Sequence, residues 1–192
     1  MTASDLRRTM NLLEETTHPR FNDAFRLWFG TSKAVDRDGT PLVFYHGTQR
    51  DIRRFERRSE SHDAGIFFTR NTEYAGGYAT NFAQHTGREV PEGANIVPCY
   101  LRITNPFYTL TKPTDIELKL GSRGAFTDAC IEYLEKQGYD SVVCSMTPYE
   151  VQQGYHSIAD AEEVCVFHPG QVKSAMNSGA FDLDNDDISE SS

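Results

Sequence analysis

Two short stretches of the chain carry residue types that could bind a planar, hydroxyl-bearing ligand. The first is His46-Gly47-Thr48 at the end of an apolar run, where an imidazole can hydrogen-bond a hydroxyl and a glycine lets a flat ligand approach the backbone. The second places Phe67 in another apolar run and Tyr78 eleven residues later. These rings could form the two faces of a slot for a planar ring, although such a histidine and such aromatics are also common as structural groups.

Two further stretches are charged. Glu162 and Glu163 open the apolar run 164–167, so one carboxylate would face the same cleft as His46 if their strands are neighbours. Five arginines follow His46 closely and would form one basic stripe if that segment were helical: Arg50, Arg53, Arg54, Arg57 and Arg58. Such a stripe could bind a pyrophosphate or a nucleic-acid acceptor, whereas the usual interpretation of either charged stretch is a solvated surface.

The spacing of apolar residues predicts the elements that position these side chains. Helices are expected within residues 1–19 and at 19–30, 71–82 and 126–137, and strands at 42–45, 65–69, 96–103, 141–144 and 163–167. Short strands, few helices and no regular alternation of the two predict an α+β fold. The long loop 145–162 is typical of a functional or mobile segment, and it carries Tyr149, Tyr155 and His156.

Length and composition limit the class of protein. The 192 residues suit one domain, and a hydrophobic share of 38% is enough to bury a core. A net charge of −9 argues against a protein that binds nucleic acid over its whole surface. The four cysteines show no metal-ligand or CxxC spacing, no apolar run reaches membrane-spanning length, and the polar first residues lack the apolar stretch of a signal peptide. We therefore expect buried thiols, no zinc site and a cytoplasmic protein.

The charge is unevenly distributed along the chain. Residues 1–70 carry 12 basic and 10 acidic side chains, whereas residues 71–192 carry 7 and 18. The last segment, residues 182–192, contains five acidic residues and no lysine or arginine. It is therefore predicted to be a disordered acidic tail, which leaves the densest basic cluster beside His46.

The four stretches, in this order and at this spacing, resemble the His-Tyr-Glu group of ADP-ribosyltransferases, which includes diphtheria toxin and the poly(ADP-ribose) polymerases. A wider set of residues is similar to the small bacterial and phage ADP-ribosyltransferases of polyvalent proteins. That set comprises residues 27–30, 35–36, 41–48, 78–79, 166–167, 169, 171 and 173–174. The resemblance covers about residues 20–181 and implies a catalytic domain there, with an ADP-ribosyltransferase-like split β-sheet core and flanking helices.

The resemblance also implies that the ligand is NAD, used as a substrate without a metal. His46 would bind the 2′-hydroxyl of the adenosine ribose, and the backbone of Gly47 would bind the nicotinamide carboxamide. Thr48 and Thr69 belong to the same implied NAD-binding set.

Three residues would act at the nicotinamide end. Tyr78 would stack on the ring, and Phe67 would replace the first tyrosine of the family, which keeps the stacking but loses a hydroxyl. Glu163 would be the catalytic acid, with Glu162 as the alternative. Cleavage of the bond between ribose and nicotinamide passes through an oxocarbenium-like state, which a nearby carboxylate stabilises.

The implied activity is mono-ADP-ribosyl transfer to a macromolecular acceptor, either protein or nucleic acid, that faces the loop 145–162. Arginine is a less expected target, because Ala161 stands where arginine-specific relatives carry a second acid. The alternatives are an NAD glycohydrolase, an inactive module that binds NAD or ADP-ribose, and, more distantly, an RNA 2′-phosphotransferase. By analogy the protein would be a toxin or effector that acts in its own or a target cell's cytoplasm, away from membranes, with an antitoxin or immunity protein as a partner.

Overall fold

The computed structural model describes residues 21–57, 63–144, 157–177, 181 and 185–188. The predicted helix within residues 1–19 lies outside the described residues, as do Arg58 and the three loop residues Tyr149, Tyr155 and His156. No helix in the described part of the chain is long and apolar enough to span a bilayer. The fold combines helices with two β-sheets, in agreement with the predicted α+β class.

The described part of the chain forms helices and strands in the following order. They are α1 (Asp23–Phe29), β1 (Phe44–Thr48), β2 (Ile66–Phe68), α2 (Thr72–Ala79), α3 (Ala83–Thr86), β3 (Asn95–Leu101), β4 (Pro106–Tyr108), α4 (Asp128–Lys136), β5 (Ser141–Cys144), β6 (Glu163–Val166) and β7 (Val172–Ser174). Two 3₁₀ turns, Ile158–Asp160 and Pro169–Gln171, flank β6.

The strands form two sheets that meet at one residue pair. The first sheet has the order β1-β3-β7 and is antiparallel, and the second has the order β2-β6-β5-β4 with β4 and β5 parallel. Tyr45 of β1 and Thr69, which follows β2, exchange both backbone hydrogen bonds at 2.7 and 3.0 Å. This pair is an isolated bridge, so β1 and β2 diverge beyond it toward Thr48.

In the second sheet, β5 and residues 164–166 of β6 are buried on both faces, which explains their uninterrupted apolar runs. One face of the second sheet packs against Cys130, Ile131 and Leu134 of α4. The other face joins the larger core that includes Trp28 of α1 and Phe44 of β1. A rigid apolar layer therefore fixes β6, and with it Glu163, relative to β1.

The prediction of buried thiols is confirmed, because all four cysteines are buried and free. Burial raises the pKa of Cys99 and Cys165 far above the usual value and that of Cys144 to about 12. At neutral pH these raised pKa values keep the thiols of Cys99, Cys144 and Cys165 protonated, as expected for packing groups.

Several predicted elements are present with different ends. β5 spans the predicted residues, and α4 stops just before Gly138, whose φ of +89° ends the helix as expected. β1 is displaced from the predicted 42–45, because the Leu42 N–H donates to the Ala34 carbonyl and closes a turn. His46 consequently lies in the middle of a strand and not after one. The short strands β4 and β7 were not predicted, because three residues give no periodic signal.

The predicted basic stripe is wrong, because residues 49–57 form no helix. The Thr48 hydroxyl donates to the Arg50 carbonyl at 2.9 Å and turns the chain. Farther on, the Arg53 carbonyl accepts a hydrogen bond from the Ile188 N–H. These contacts hold the described part of the segment in an irregular path.

Residues 185–188, which belong to the predicted acidic tail, lie against the body of the protein. Ile188 is buried, and its carbonyl accepts the Ser174 N–H at 2.9 Å. Lys173 is fully buried, and its ammonium donates to the carbonyls of Asn185 and Asp187 at 2.5 and 3.1 Å. A buried ammonium needs such acceptors, and the segment supplies them.

Gln171 ties the ends of both sheets together. Its side-chain carbonyl accepts the backbone N–H groups of Phe167 and His168, and its amide donates to the carbonyls of Arg102 and Asp140, all at 2.8–3.1 Å. The side chain is buried, and its bond to the Phe167 N–H is buried as well, whereas the other three are partly buried.

We expect Gln171→Met to lower the free energy of unfolding by about 2–4 kcal/mol, because it leaves one buried and one partly buried N–H group and two carbonyls without their partner. The matched change Gln137→Met, at the exposed end of α4, should alter it by less than about 0.5 kcal/mol. Urea denaturation of both variants measures the difference, and equal stabilities would contradict the assigned role of Gln171.

Candidate active site

A cavity of about 780 Å³ opens where β1 and β2 diverge. Several residues predicted from the sequence line it: His46, Gly47, Thr48, Arg50, Arg54, Phe67, Thr69, Tyr78 and Glu163. Residues that are more than a hundred positions apart in the chain therefore share one cavity. The individual roles assigned to them from the resemblance remain predictions.

His46 is positioned by a hydrogen bond to the Phe67 carbonyl and by contacts with aromatic rings. Its Nδ1 lies 2.8 Å from the Phe67 carbonyl, and because a carbonyl only accepts, Nδ1 carries a proton. Phe55 packs edge-on against the imidazole at 4.9 Å between ring centroids, and Phe68 lies at 5.5 Å. In the neutral imidazole Nε2 is then a hydrogen-bond acceptor, as a hydroxyl ligand requires.

The backbone of Gly47 faces the gap between the two sheets. Successive residues of a strand direct their N–H and C=O groups to alternate edges, so Gly47 directs its groups to the same edge as Tyr45, which pairs with Thr69. Regular pairing would next bring Phe67 opposite Gly47, but the Phe67 carbonyl accepts from His46. The polar backbone of Gly47 therefore borders the cavity.

Gly47 is also required for packing, which is a different reason from the predicted ligand approach. A Cβ at this position would lie 1.9 Å from the Ala75 carbonyl oxygen and 2.9 Å from the Ala79 nitrogen. Helix α2 thus lies directly on the β1 backbone. This contact sets the height of α2, and of the aromatic side chains that it carries, above the cavity.

Helix α2 begins where predicted and ends earlier. The Asn71 side chain caps it by accepting the backbone N–H groups of Glu73 and Tyr74. It ends at Ala79 and not at residue 82, because Asn81 and Phe82 adopt the left-handed conformation with φ of +53° and +51°. The chain reverses there.

The reversal places Phe82 against Tyr78. Tyr78 is 47% exposed and packs edge-to-face between Tyr74 and Phe82, with centroid distances of 5.3 and 5.1 Å. Phe82 lies over Gly77, where a Cβ would be 2.6 Å from its ring. Three aromatic rings thus form a row with Tyr78 in the middle, and two of them, Tyr74 and Tyr78, line the cavity.

Tyr74 is a cavity residue that the sequence reasoning missed. Its hydroxyl lies 3.3 Å from that of Tyr78. This hydrogen bond, followed by burial and the negative charges of Glu163 and Glu162, raises the pKa of Tyr74 well above its usual value. The phenol therefore stays protonated. The spacing of four residues between Tyr74 and Tyr78 places both on one helix face and was the available signal.

Glu163 stands at the start of β6 with its carboxylate bound to a lysine. The side chain is 15% exposed, and its Oε2 lies 3.2 Å from the ammonium of Lys112. The same ammonium lies 3.0 Å from Oδ1 of Asp63, which is 57% exposed. It also lies 4.3 Å from the centre of the Phe67 ring, which is a cation–π distance.

The charge of Lys112 is strongly held. Burial lowers the pKa of this ammonium, but the negative charges of Glu163 and Asp63 and the hydrogen bond to Asp63 outweigh the burial, so the pKa lies above its usual value. Lys112 and Asp63 both line the cavity, and no local motif predicts either of them. Only the tertiary fold brings them to Glu163.

The two adjacent glutamates differ in position. Glu163 is a cavity residue, whereas Glu162 is exposed and is not among the lining residues. Ala161, at the position of the second acid of arginine-specific relatives, is buried. The geometry thus favours Glu163 over Glu162 as the residue that could contact a ligand.

The two threonines line the cavity but use their hydroxyls locally. Thr48 bonds to Arg50 within the turn that follows β1. The hydroxyl of Thr69 accepts the Asn71 N–H at 3.1 Å and so supports the start of α2. Both are buried. Their contacts shape the rim of the cavity.

The arginines are divided between the cavity and the surface. Arg50 and Arg54 line the cavity, whereas Arg57 pairs with Asp128 of α4 at 3.0 Å. Arg53 is not among the lining residues. Of the four predicted arginines that the structure describes, two therefore line the cavity.

In the part of the chain that the structure describes, no group of three or more His, Cys, Asp or Glu side chains could hold a metal ion.

The family model for ADP-ribosyltransferases in polyvalent proteins matches residues 36–181. Because this match covers more than half of the chain, the chain belongs to that family, as the four motifs predicted. No curated protein and no solved structure matches it. Family membership supports ADP-ribosyl transfer as the general chemistry.

We expect Gly47→Ala and Gly76→Ala to change stability in opposite directions. The first adds a methyl group that overlaps the Ala75 carbonyl, and it should lower the free energy of unfolding by about 1–3 kcal/mol. The second adds one to the interior of α2 at 3.7 Å from Ile96, and it should raise that free energy by about 0.5–1 kcal/mol. Urea denaturation measures both, and a fully stable Gly47→Ala protein would show that α2 does not rest on β1 as described.

Proposed function

We propose that the protein is an NAD-dependent mono-ADP-ribosyltransferase with a split-sheet core of the family type. The observation that carries this proposal is the shared cavity: the carboxylate of Glu163 and the rings of Phe67 and Tyr78 border it together with His46 and Gly47. A carboxylate near two aromatic rings suits a cationic, planar leaving group attached to a sugar.

The adenosine half of NAD would lie against β1. The Phe67 carbonyl holds the His46 ring so that Nε2 can accept a hydrogen bond from the 2′-hydroxyl of the adenosine ribose. Arg50 and Arg54 border the same cavity and supply positive charge for the pyrophosphate. Bound in this way, the dinucleotide would extend along the strand toward Gly47.

The nicotinamide would lie between Phe67 and Tyr78. The backbone groups of Gly47, which face the gap, offer a donor and an acceptor that match the carboxamide. Phe67 provides a stacking face without a hydroxyl, so a hydrogen bond from this position to the ribose is absent. The nicotinamide ring would thus be held on its two faces by Phe67 and Tyr78 and at its carboxamide by Gly47. These contacts would orient the bond between ribose and nicotinamide for cleavage.

In the reaction the bond between ribose C1′ and the nicotinamide nitrogen breaks, and its electron pair neutralises the pyridinium. The ribose develops oxocarbenium character, which the Glu163 carboxylate stabilises while it accepts a hydrogen bond from the ribose 2′-hydroxyl. A nucleophile of the acceptor then bonds to C1′ and loses its proton. The contribution of Glu163 grows toward the transition state, so its loss should reduce kcat more than donor binding.

The acceptor is a macromolecule, protein or nucleic acid, and we propose that residues 145–162 contribute to its recognition. The buried Ala161 provides no second acid, which disfavours an arginine target. A role as a toxin or effector in the cytoplasm, countered by an antitoxin or immunity protein, is proposed by analogy with small stand-alone transferases.

Glu163→Gln should reduce the rate of nicotinamide release from NAD by about a hundredfold or more, since it removes a charge that stabilises the transition state. Glu162→Gln, a matched change at the exposed neighbour, should retain activity within about threefold, because its side chain lies outside the cavity lining. Release of nicotinamide is measured by chromatography under single-turnover conditions. An active Glu163→Gln protein, or a stronger loss for Glu162→Gln, contradicts the assignment.

Incubation with NAD labelled in the adenosine half separates transfer from hydrolysis. We expect label on protein or nucleic acid from a cell extract, followed by mass spectrometry of both fractions to find an added ADP-ribose. Release of free ADP-ribose alone would establish an NAD glycohydrolase. Binding of NAD without nicotinamide release would establish an inactive binding module.

A further inference from the structure

Lys112 occupies part of the space that the proposed function assigns to the nicotinamide. Its ammonium lies 4.3 Å from the centre of the Phe67 ring and 3.2 Å from the Glu163 carboxylate. All three residues line the same cavity. A ring that stacks on this face of Phe67 and a ribose that bonds to Glu163 must therefore compete with the ammonium.

The position of Lys112 is built into the fold. The chain leaves β4 with the Thr109 N–H bonded to the Val143 carbonyl, and the Thr109 hydroxyl donates to the Thr111 carbonyl at 2.8 Å. Pro113 follows directly, which confines the backbone of Lys112 to extended conformations. The backbone on both sides of Lys112 is therefore constrained, and this constraint positions the lysine at the cavity.

The acidic partner on the other side is anchored as well. Asp63 forms a parallel bridge with Phe126, and the neighbouring Ala64 N–H donates to the Phe126 carbonyl at 2.8 Å. The Asp63 side chain is 57% exposed, whereas that of Glu163 is 15% exposed. Lys112 thus has one inner carboxylate in the cavity and one outer carboxylate at its rim.

The oxidised nicotinamide ring is a cation, as is the lysine ammonium. An aromatic face next to a carboxylate attracts either of them, but two cations on one face repel each other. The reduced ring of NADH is neutral, so the Lys112 ammonium excludes it by its volume but does not repel it by charge. Occupancy by Lys112 should therefore depend on the charge of the ligand.

We propose that Lys112 is an internal competitor for the nicotinamide subsite. On donor binding its ammonium leaves Phe67 and Glu163 and stays paired with Asp63 at the rim. The exchange frees the Glu163 carboxylate for the ribose once the donor has bound. This inference rests on the proposed function, and it adds a specificity-determining residue: Lys112 weakens binding of the oxidised dinucleotide more than binding of the reduced one.

The test compares the binding of two ligands that differ in the charge of the ring. Carbocyclic NAD, in which a methylene group replaces the ribose ring oxygen and blocks cleavage, provides the pyridinium, and its reduced form provides the neutral ring. We expect Lys112→Gln to lower the Kd of the oxidised analogue by about tenfold and that of the reduced analogue by less than about twofold, as measured by calorimetry.

Two control variants separate this effect from altered net charge or folding. Lys112→Arg retains a cation on the same backbone and should keep the wild-type ratio of the two Kd values. Lys33→Gln removes an exposed charge outside the cavity lining and should change neither Kd. A third variant, Asp63→Asn, removes the outer partner, so the oxidised analogue should bind about threefold more weakly while the native lysine is present.

The outcomes distinguish this inference from the function on which it rests. Equal changes for the two analogues, or none, in both Lys112→Gln and Asp63→Asn overturn the competition by Lys112 and leave the donor site intact. Failure of both analogues and of ADP-ribose to bind the wild-type protein overturns the proposed function, and the role of Lys112 with it.

Discussion

The site depends on one pair of backbone hydrogen bonds, those between Tyr45 and Thr69. They join the three-stranded and four-stranded sheets at a single point, and the next step of regular pairing does not form. His46 takes the Phe67 carbonyl that would otherwise face Gly47. The His46 side chain therefore takes the place of the next backbone pair between the sheets. The same hydrogen bond also fixes the imidazole as part of the polar lining of the cavity.

The close contact of α2 with β1 completes the geometry. Because Gly47 has no side chain, the backbone of the helix at Ala75 and Ala79 lies directly on the strand. The helix in turn carries Tyr74 and Tyr78, and the left-handed residues that follow it turn Phe82 back against them. On the opposite side, the buried part of β6 and its neighbour β5 fix Glu163. The side of the cavity formed by β1 and α2 and the side formed by β6 are thus held in place by separate packing contacts.

The sequence indicated the cavity residues better than it indicated the elements that hold them. His46, Phe67, Tyr78 and Glu163 could be chosen because their types, order and spacing form a pattern. The limits of β1 could not, because the turn before it depends on a backbone bond from Leu42 to Ala34.

Contacts between distant parts of the chain explain the remaining differences. Lys112 and Asp63 reach Glu163 only through the fold, so no local signal exists for them. Contacts between distant residues also explain why residues 49–57 are irregular and why residues 185–188 are packed against the body of the protein. The buried ammonium of Lys173 and the backbone of Arg53 bind that C-terminal segment, and net charge along the chain does not reveal such contacts.

The central claim is that the nicotinamide of NAD binds where the two sheets diverge. A crystal structure of the protein with carbocyclic NAD tests it most directly. The account predicts the nicotinamide ring between Phe67 and Tyr78, with its carboxamide on the backbone of Gly47 and the ribose 2′-hydroxyl on Glu163. A dinucleotide bound elsewhere, or in the cavity with its adenine between these two rings, would contradict the claim.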